Sequence, residues 1–140
     1  MSALSQQPST PEAGNANKGV ERITGNFTTA TSGAVAGKVG RGFTVTKVSA
    51  ETGQYLVQCD KAFKTILHIY ASLWDAADGV ASCKVVGTPA VGDRSIGASF
   101  IIQTFEEAEE VSEDDTSGVT APADLEGVTV SFEAVFTNVE

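Results

Sequence analysis

The stretch Val128–Val139, VTVSFEAVFTNV, decides the fold class of this chain, because its apolar residues recur at every second position. Such alternation is typical of a strand in an antiparallel sheet with one buried and one solvated face. The residues on the predicted buried face are Val128, Val130, Phe132, Ala134 and Phe136. The opposite face carries Thr129, Ser131, Glu133 and Thr137, with Val135 as the exception. This part of the chain therefore predicts a long, half-buried strand.

A hairpin is predicted upstream, around the turn signal in Glu51–Gln54. The flanking segments Phe43–Ser49 and Tyr55–Asp60 both alternate apolar and polar residues, which suits two paired antiparallel strands. The segment Val80–Val86 predicts a further strand.

Two other stretches are apolar at consecutive positions and predict central strands. Thr65–Leu73 and Ser99–Phe105 read this way, so we expect each to be covered on both sides by a second sheet or a neighbouring subunit. Trp74–Asp78 allows one helical turn at most, and no longer helix is predicted. Gly33–Val39 predicts a flexible loop that leads into the turn Gly40–Gly42.

These elements predict an all-β domain, an antiparallel β-sandwich or a partly open barrel of about seven strands. The length of 140 residues suits one domain. We expect residues 1–19 to form an extended N-terminal arm and residues 20–140 to form the sandwich body, with a long acidic loop at 106–127. No apolar run approaches the roughly 18 residues of a membrane-spanning helix, so we expect no membrane association.

The net charge of −9 is concentrated in residues 106–126, which contain no lysine or arginine. The acidic residues of this stretch are Glu106, Glu107, Glu109, Glu110, Glu113, Asp114, Asp115, Asp124 and Glu126. Because phosphate groups would be repelled by this stretch and no basic cluster lies elsewhere, nucleic-acid binding is not expected. We expect the stretch to project into solvent, with a weak divalent-cation site as the alternative.

The N-terminal residues lack the basic and apolar regions of an export signal, so synthesis in a cytoplasm is expected. Cys59 and Cys83 are then expected to be reduced thiols that pack as small apolar groups. Residues 1–19 have almost no large apolar side chains, so we expect this arm to become ordered only on another polypeptide. The candidate contact residues of the arm are Leu4, Gln6, Gln7, Pro8, Pro11, Asn15, Asn17 and Lys18.

No catalytic motif is visible, and we expect neither an enzyme nor a metal or cofactor site. The segment Gly33–Val39 lacks the hydroxyl residue that a phosphate-binding loop needs after its lysine. His68 is expected to pack in the core or in a subunit interface rather than to join Cys59 and Cys83 around zinc. Trp74 is expected to anchor the edge of the core.

The order of the elements resembles small structural proteins encoded by tailed bacteriophages. The segments that carry the resemblance are Gly42–Val45, Thr52–Val57, Ala62–Lys64, Phe100–Phe105 and Val128–Asn138. Several proteins of this kind are capsid cement or decoration proteins. The resemblance implies a β-rich, often trimeric body on the outside of the assembled head and an arm that extends over the major capsid protein.

The expected function is therefore that of a homotrimeric, non-enzymatic capsid decoration protein, synthesised in the host cytoplasm and located on the outer surface of the virion. The candidate residues for an oligomer or capsid interface are Arg22, Arg41 and His68. One alternative is a phage tail or surface module that binds a receptor or glycan, for which Trp74 is the candidate contact. Another is a plain oligomerisation subunit without a further partner.

Overall fold

The computed structural model describes residues 19–75, 81–108 and 119–138, and its architecture is a β-sandwich. Within these ranges the chain forms nine strands, β1 Val20–Thr29, β2 Val35–Gly40, β3 Phe43–Lys47, β4 Gln54–Cys59, β5 Thr65–Asp75, β6 Ala81–Ala90, β7 Ser99–Ala108, β8 Val119–Pro122 and β9 Val128–Thr137. The helical content of these ranges is one short 3-10 turn, Thr31–Gly33. The described part of the chain contains no helix that could span a membrane.

The strands form two antiparallel sheets. The first sheet has the order β2-β1-β9-β5 and the second has the order β3-β4-β7-β6, with β8 paired to the far part of β7. The predicted hairpin is confirmed, because β3 and β4 pair from Phe43↔Cys59 to Lys47↔Tyr55. The predicted all-β sandwich is confirmed as well.

The core lies between the two sheets, and β9 supplies much of its first side. All five residues of the predicted buried face of Val128–Phe136 are buried. Phe132 contacts Phe43 edge to face with 4.9 Å between ring centroids, and Phe136 stacks on Phe63 at 4.2 Å. Such aromatic pairs add to the burial of apolar area that holds the sheets together.

The prediction of a flexible loop over Gly33–Val39 is wrong, because Val35–Gly40 is strand β2 and pairs with β1. Gly40 lies opposite Gly25 in this pair, and the Phe43 ring covers both. A Cβ atom on Gly25 would lie 2.4 Å from Cζ of Phe43, so only glycine leaves room for the ring. The glycines that hid this strand in the sequence are therefore packing positions.

One of the two predicted central strands is placed correctly and the other is not. β7 is central in the second sheet, between β4 and β6. β5 is an edge strand of the first sheet, and it continues through Trp74 to Asp75, the first two residues of the stretch for which one helical turn was allowed; residues 76–78 lie outside the described residues. Ile69 and Ala71 of β5 pack against the core, whereas His68 and Tyr70 face outward. The apolar character of both faces of β5 therefore does not reflect burial on both sides.

The predicted acidic loop at 106–127 is shorter than expected. β7 continues through Glu106–Ala108, and these residues pair with β8 at Val119–Ala121. Leu125 packs against the core after β8. The acidic stretch is therefore tied to the sheet at both ends, and residues 109–118 between them lie outside the described residues.

Candidate functional site

The sandwich has two ends of different charge. At one end the chain begins β1 and finishes β9, and the Asn138 backbone N–H donates to the Gly19 carbonyl at 2.7 Å. We call this the basic end, because among the described residues its basic side chains outnumber its acidic ones. The basic residues are Arg22, Arg41, Lys61, Lys64 and Arg94, and the acidic residues are Glu21, Asp60 and Asp93.

Glu21 links three segments at the basic end. Its Oε2 atom accepts a hydrogen bond from Lys61 Nζ at 2.5 Å and another from Asn138 Nδ2 at 3.0 Å. The Lys61 side chain is 55% exposed, so this ion pair lies at the surface. Surface pairs of this kind contribute little to stability, and they leave the residues accessible to a partner.

A shallow cleft of about 300 Å³ opens beside these residues. Its lining residues are Ala62, Phe63, Lys64, Gly92, Asp93, Arg94 and Asn138. The Asp93 carboxylate accepts hydrogen bonds at 2.9 Å from the Ser95 hydroxyl, at 2.9 Å from the Ser95 N–H and at 3.0 Å from the Ile96 N–H. These bonds, that of the Ser95 side chain first, lower the pKa of Asp93. The turn that carries Arg94 is therefore fixed by an ionised carboxylate.

Two of the three residues predicted for an interface lie side by side. Arg22 and His68 flank Val135 in one cross-strand row on the outer face of the first sheet, the face turned away from the second sheet. Arg22 donates to Glu133 at 2.9 Å, and His68 Nε2 lies 4.0 Å from the other oxygen of that carboxylate. Of the two expectations for His68, packing in the core is wrong, because its side chain is half exposed, and packing in a subunit interface stays a prediction.

The third predicted interface residue lies apart from this row. Arg41 occupies the exposed turn between β2 and β3, where the Asp60 N–H donates to the neighbouring Gly42 carbonyl at 2.8 Å. The predicted contact residues of the arm, Leu4, Gln6, Gln7, Pro8, Pro11, Asn15, Asn17 and Lys18, lie outside the described residues.

The opposite end, which we call the acidic end, carries Glu51, Asp124 and Glu126, and it is held by polar contacts that are partly or fully buried. Asp124 Oδ1 accepts from the Gly53 N–H at 2.6 Å and lies 3.1 Å from Lys47 Nζ. The buried Tyr55 hydroxyl donates to the Gly33 carbonyl at 2.6 Å, and the buried Thr104 hydroxyl donates to Ala123 at 2.7 Å. The Asp124 and Thr104 bonds join the segment after β8 to the β3–β4 turn and to β7, and the Tyr55 bond joins β4 to the turn before β2.

The residues considered for metal or thiol chemistry do not come together. Cys59 is buried on the inner face of the second sheet, whereas His68 is on the outer face of the first. Burial raises the pKa values of Cys59 and Cys83 to about 11, with Asp60 adding to the effect at Cys59. Both are therefore neutral thiols near pH 7, whereas the thiolate is the nucleophile. No group of three or more metal-ligating side chains occurs among residues 19–75, 81–108 and 119–138.

Sequence reasoning missed a row of exposed rings on the outer face of the first sheet. We call His68, Tyr70 and Trp74 of β5 the aromatic row. Trp74 is 60% exposed and Tyr70 is 56% exposed, so the expectation that Trp74 anchors the core is wrong. The rings stand at alternate positions of the chain with Ser72 between them, and this period-two signal was obscured by the apolar residues of the inner face.

Comparison of the chain with protein-family models, with curated proteins and with solved structures gives no match. What the protein does is therefore proposed from its geometry and charge, together with the resemblance of its sequence segments to phage structural proteins.

Proposed function

We propose that this chain is a non-enzymatic structural protein of the capsid cement or decoration type. In this proposal it binds the major capsid protein on the outside of an assembled phage head, through its N-terminal arm and the basic end of the sandwich. The acidic end points away from the shell. The proposal combines two arguments. One is the resemblance of the sequence segments to those of phage structural proteins, and the other is the distribution of charged side chains between the two ends of the sandwich.

The observation that carries this proposal is that the first strand, β1, begins at the basic end of the sandwich. Gly19 immediately precedes β1 at the basic end, so the N-terminal arm joins the body near Lys61, which pairs with Glu21, and near the cleft that Lys64 and Arg94 line. A chain with a net charge of −9 approaches a surface most easily with its least acidic side. The arm and the basic end can therefore contact one partner together.

The physical mechanism is additive adhesion. Each arm is too poor in apolar residues to contribute much on its own, but it gains contacts when it becomes ordered on a partner. In a trimer, three arms and three basic ends engage neighbouring capsid subunits at once, so that avidity multiplies the individual affinities. Because the protein binds the assembled shell and not its separated subunits, binding stabilises the assembled state.

The test measures occupancy of purified phage shells by the full-length chain and by a variant lacking residues 2–18. We expect the truncated chain to fold and to lose most of its occupancy. A second variant, Arg94→Glu, reverses one charge at the basic end, and it should also bind more weakly at low salt. Lys84→Glu is the matched control, because Lys84 lies on the second sheet opposite Gln103, away from the basic end.

Equal occupancy by the truncated and full-length chains would contradict the role of the arm. Equal weakening by the control and by the basic-end variant would show that only net charge matters. A full-length chain that ignores assembled shells would refute decoration altogether, and a stable oligomer in sedimentation would then indicate the plain oligomerisation subunit.

A further inference from the structure

A second cleft, of about 250 Å³, lies on the outer face of the first sheet. Its lining residues are Thr24, Tyr70, Ser72, Ser131, Phe132 and Glu133. The cleft combines an aromatic ring, three hydroxyl groups and a carboxylate. It is smaller than the roughly 300–1,000 Å³ of pockets that enclose a drug-sized ligand, so it suits one ring of a larger molecule.

The strand register explains why these groups share one cleft. Thr24, Glu133 and Tyr70 form one cross-strand row, and Ser131 pairs with Ser72 in the next row. Both rows face outward, because the residues between them point into the core. The polar groups therefore come from three strands of a rigid sheet, which holds them in place without a ligand.

The carboxylate of the cleft is positioned by its neighbours. Arg22 Nη1 donates to Glu133 Oε2 at 2.9 Å, which leaves Oε1 directed toward His68 at 4.0 Å. Arg22 thus balances the charge of Glu133. The outer face carries little net charge at this point, although the chain as a whole has a net charge of −9. A neutral ligand can approach this face without electrostatic cost, whereas an anionic one gains no cluster of cations.

The aromatic row extends the cleft along β5. The rings of His68 and Tyr70 are nearly parallel, with 12° between their planes and 5.9 Å between their centroids. Tyr70 and Trp74 are four residues apart on a strand, or roughly 13 Å at about 3.3 Å per residue. One small ring cannot touch both, but a chain of linked rings can.

We infer that this face binds an uncharged oligosaccharide. A sugar ring offers C–H groups on its face, which pack on tyrosine or tryptophan, and hydroxyl groups at its edge, which pair with serine, threonine and carboxylate oxygens. One sugar occupies the cleft against Tyr70, and a further sugar of the same chain rests on Trp74. The cleft lies on the sheet face and not in the cleft of the basic end, although Arg22, which pairs with Glu133, belongs to both regions.

The polarity of the cleft favours a glycan over a second copy of this chain. A homodimer interface has an apolar core, and pressing Ser72, Ser131, Thr24 and Glu133 against an apolar partner would leave buried polar groups without hydrogen bonds. A sugar supplies one hydroxyl group for almost every polar group that it covers. The polar lining of the cleft would therefore destabilise a homodimer interface, whereas it can form hydrogen bonds to a carbohydrate.

Binding is tested by titrating the full-length chain with neutral hexasaccharides of glucose and of N-acetylglucosamine in several linkages. Trp74 is the only tryptophan of the chain, so its fluorescence reports on this face directly. We expect a change in emission with at least one hexasaccharide and weaker binding of the matching monosaccharide. Polygalacturonate serves as the anionic comparison and should bind no better.

Variants then locate the site, with calorimetry as the readout where the fluorophore is removed. Tyr70→Ala and Trp74→Ala should each weaken hexasaccharide binding about tenfold. Trp74→Ala should leave any monosaccharide binding unchanged. Ile96→Ala is the matched control, because Ile96 is also 60% exposed but lies in the turn at the basic end. Circular dichroism and urea unfolding check that each variant is folded.

Three results would overturn the inference. The first is a folded chain that binds none of the neutral hexasaccharides. The second is binding that survives both Tyr70→Ala and Trp74→Ala. The third is a dimer whose dissociation on dilution shifts the Trp74 emission, since this would place a second copy on the face. Shell occupancy measured on the same variants keeps this outcome separate from that of decoration.

Discussion

The two ends of the sandwich are both rich in polar side chains, but these side chains differ in burial and therefore in how much they stabilise the fold. At the acidic end Tyr55 and Thr104 are buried, and Asp124 accepts a bond from a buried backbone N–H. At the basic end the pair Lys61–Glu21 lies at the surface. A polar contact stabilises a fold strongly only where water is excluded. If such a contact is removed, the donor or acceptor that is left cannot form a hydrogen bond to water instead. We therefore expect the polar contacts of the acidic end to contribute more to the free energy of unfolding, and the exposed side chains of the basic end to be accessible to a partner.

The substitution Asp124→Ala gives the most sensitive test of whether the acidic end contributes more to stability than the basic end. It removes the acceptor of the buried Gly53 N–H together with the contact to Lys47. Hydrogen bonds to charged groups are worth more than neutral ones, so we expect the free energy of unfolding to fall by about 2–3 kcal/mol. Urea unfolding measures this change.

The control for this prediction is Glu126→Ala, which removes an exposed acid two residues later whose carboxylate accepts a hydrogen bond from the Thr31 hydroxyl at 3.2 Å. The unfolding free energy should change by less than about 1 kcal/mol. Similar losses in both variants would mean that acidic charge, not the buried bond, sets stability at this end.

Tyr55→Phe should have a smaller effect and should change the response to alkaline pH. Without the hydroxyl, the Gly33 carbonyl loses its donor, and we expect a loss of about 1–2 kcal/mol in the free energy of unfolding. Burial, and then the charge of Asp124, raises the pKa of Tyr55 from 10.0 to about 12. The native state therefore retains this proton longer than the unfolded chain.

The sign of the pH dependence follows from that difference. Between pH 10 and pH 12 the unfolded chain loses the Tyr55 proton first, so the free energy of unfolding falls as the pH rises. Cys59 and Cys83, raised from 9.0 to about 11, add a fall of the same sign from about pH 9. Urea midpoints from pH 8 to pH 12 should decline in the wild type and decline less in Tyr55→Phe. Parallel curves would contradict the role of Tyr55.

The smallest effect is expected at the basic end. Glu21→Ala breaks the contacts to Lys61 and Asn138, both exposed, and should lower the free energy of unfolding by less than about 1 kcal/mol. The remaining effect should shrink further at high salt, because exposed charges are screened. A loss as large as that of Asp124→Ala would show that the basic end also holds the fold.

Much of the fold could be predicted from the spacing of the apolar residues along the chain. The inner face of β9, the hairpin of β3 and β4 and the central place of β7 follow from which side chains avoid water. β2 could not be predicted in this way, because its glycines carry no apolar signal. Glycine is required at Gly25 and Gly40 because the ring of Phe43, which lies in β3, packs over both positions.

The candidate sites were predictable only in part. Arg22 and His68 were chosen as interface residues without any knowledge of their distance, and the register of β1 and β5 on β9 places them in one row. The cleft beside Tyr70 had no signal in the sequence, since its hydroxyl groups come from three separate strands. The exposure of Trp74 was misjudged, because a large ring in an apolar stretch normally packs inside.

The amino-acid sequence by itself determined that this protein is an all-β domain of antiparallel strands with a strongly acidic segment, and it left a sandwich and a partly open barrel as alternatives. Local alternation and charge are properties of consecutive residues, and they need no knowledge of the partner strands. Only the tertiary structure decided which strand is at the edge, which face of it meets water and which end of the body is basic. Those features depend on the register between strands distant in the chain, and register is set by the packing of whole sheets against each other.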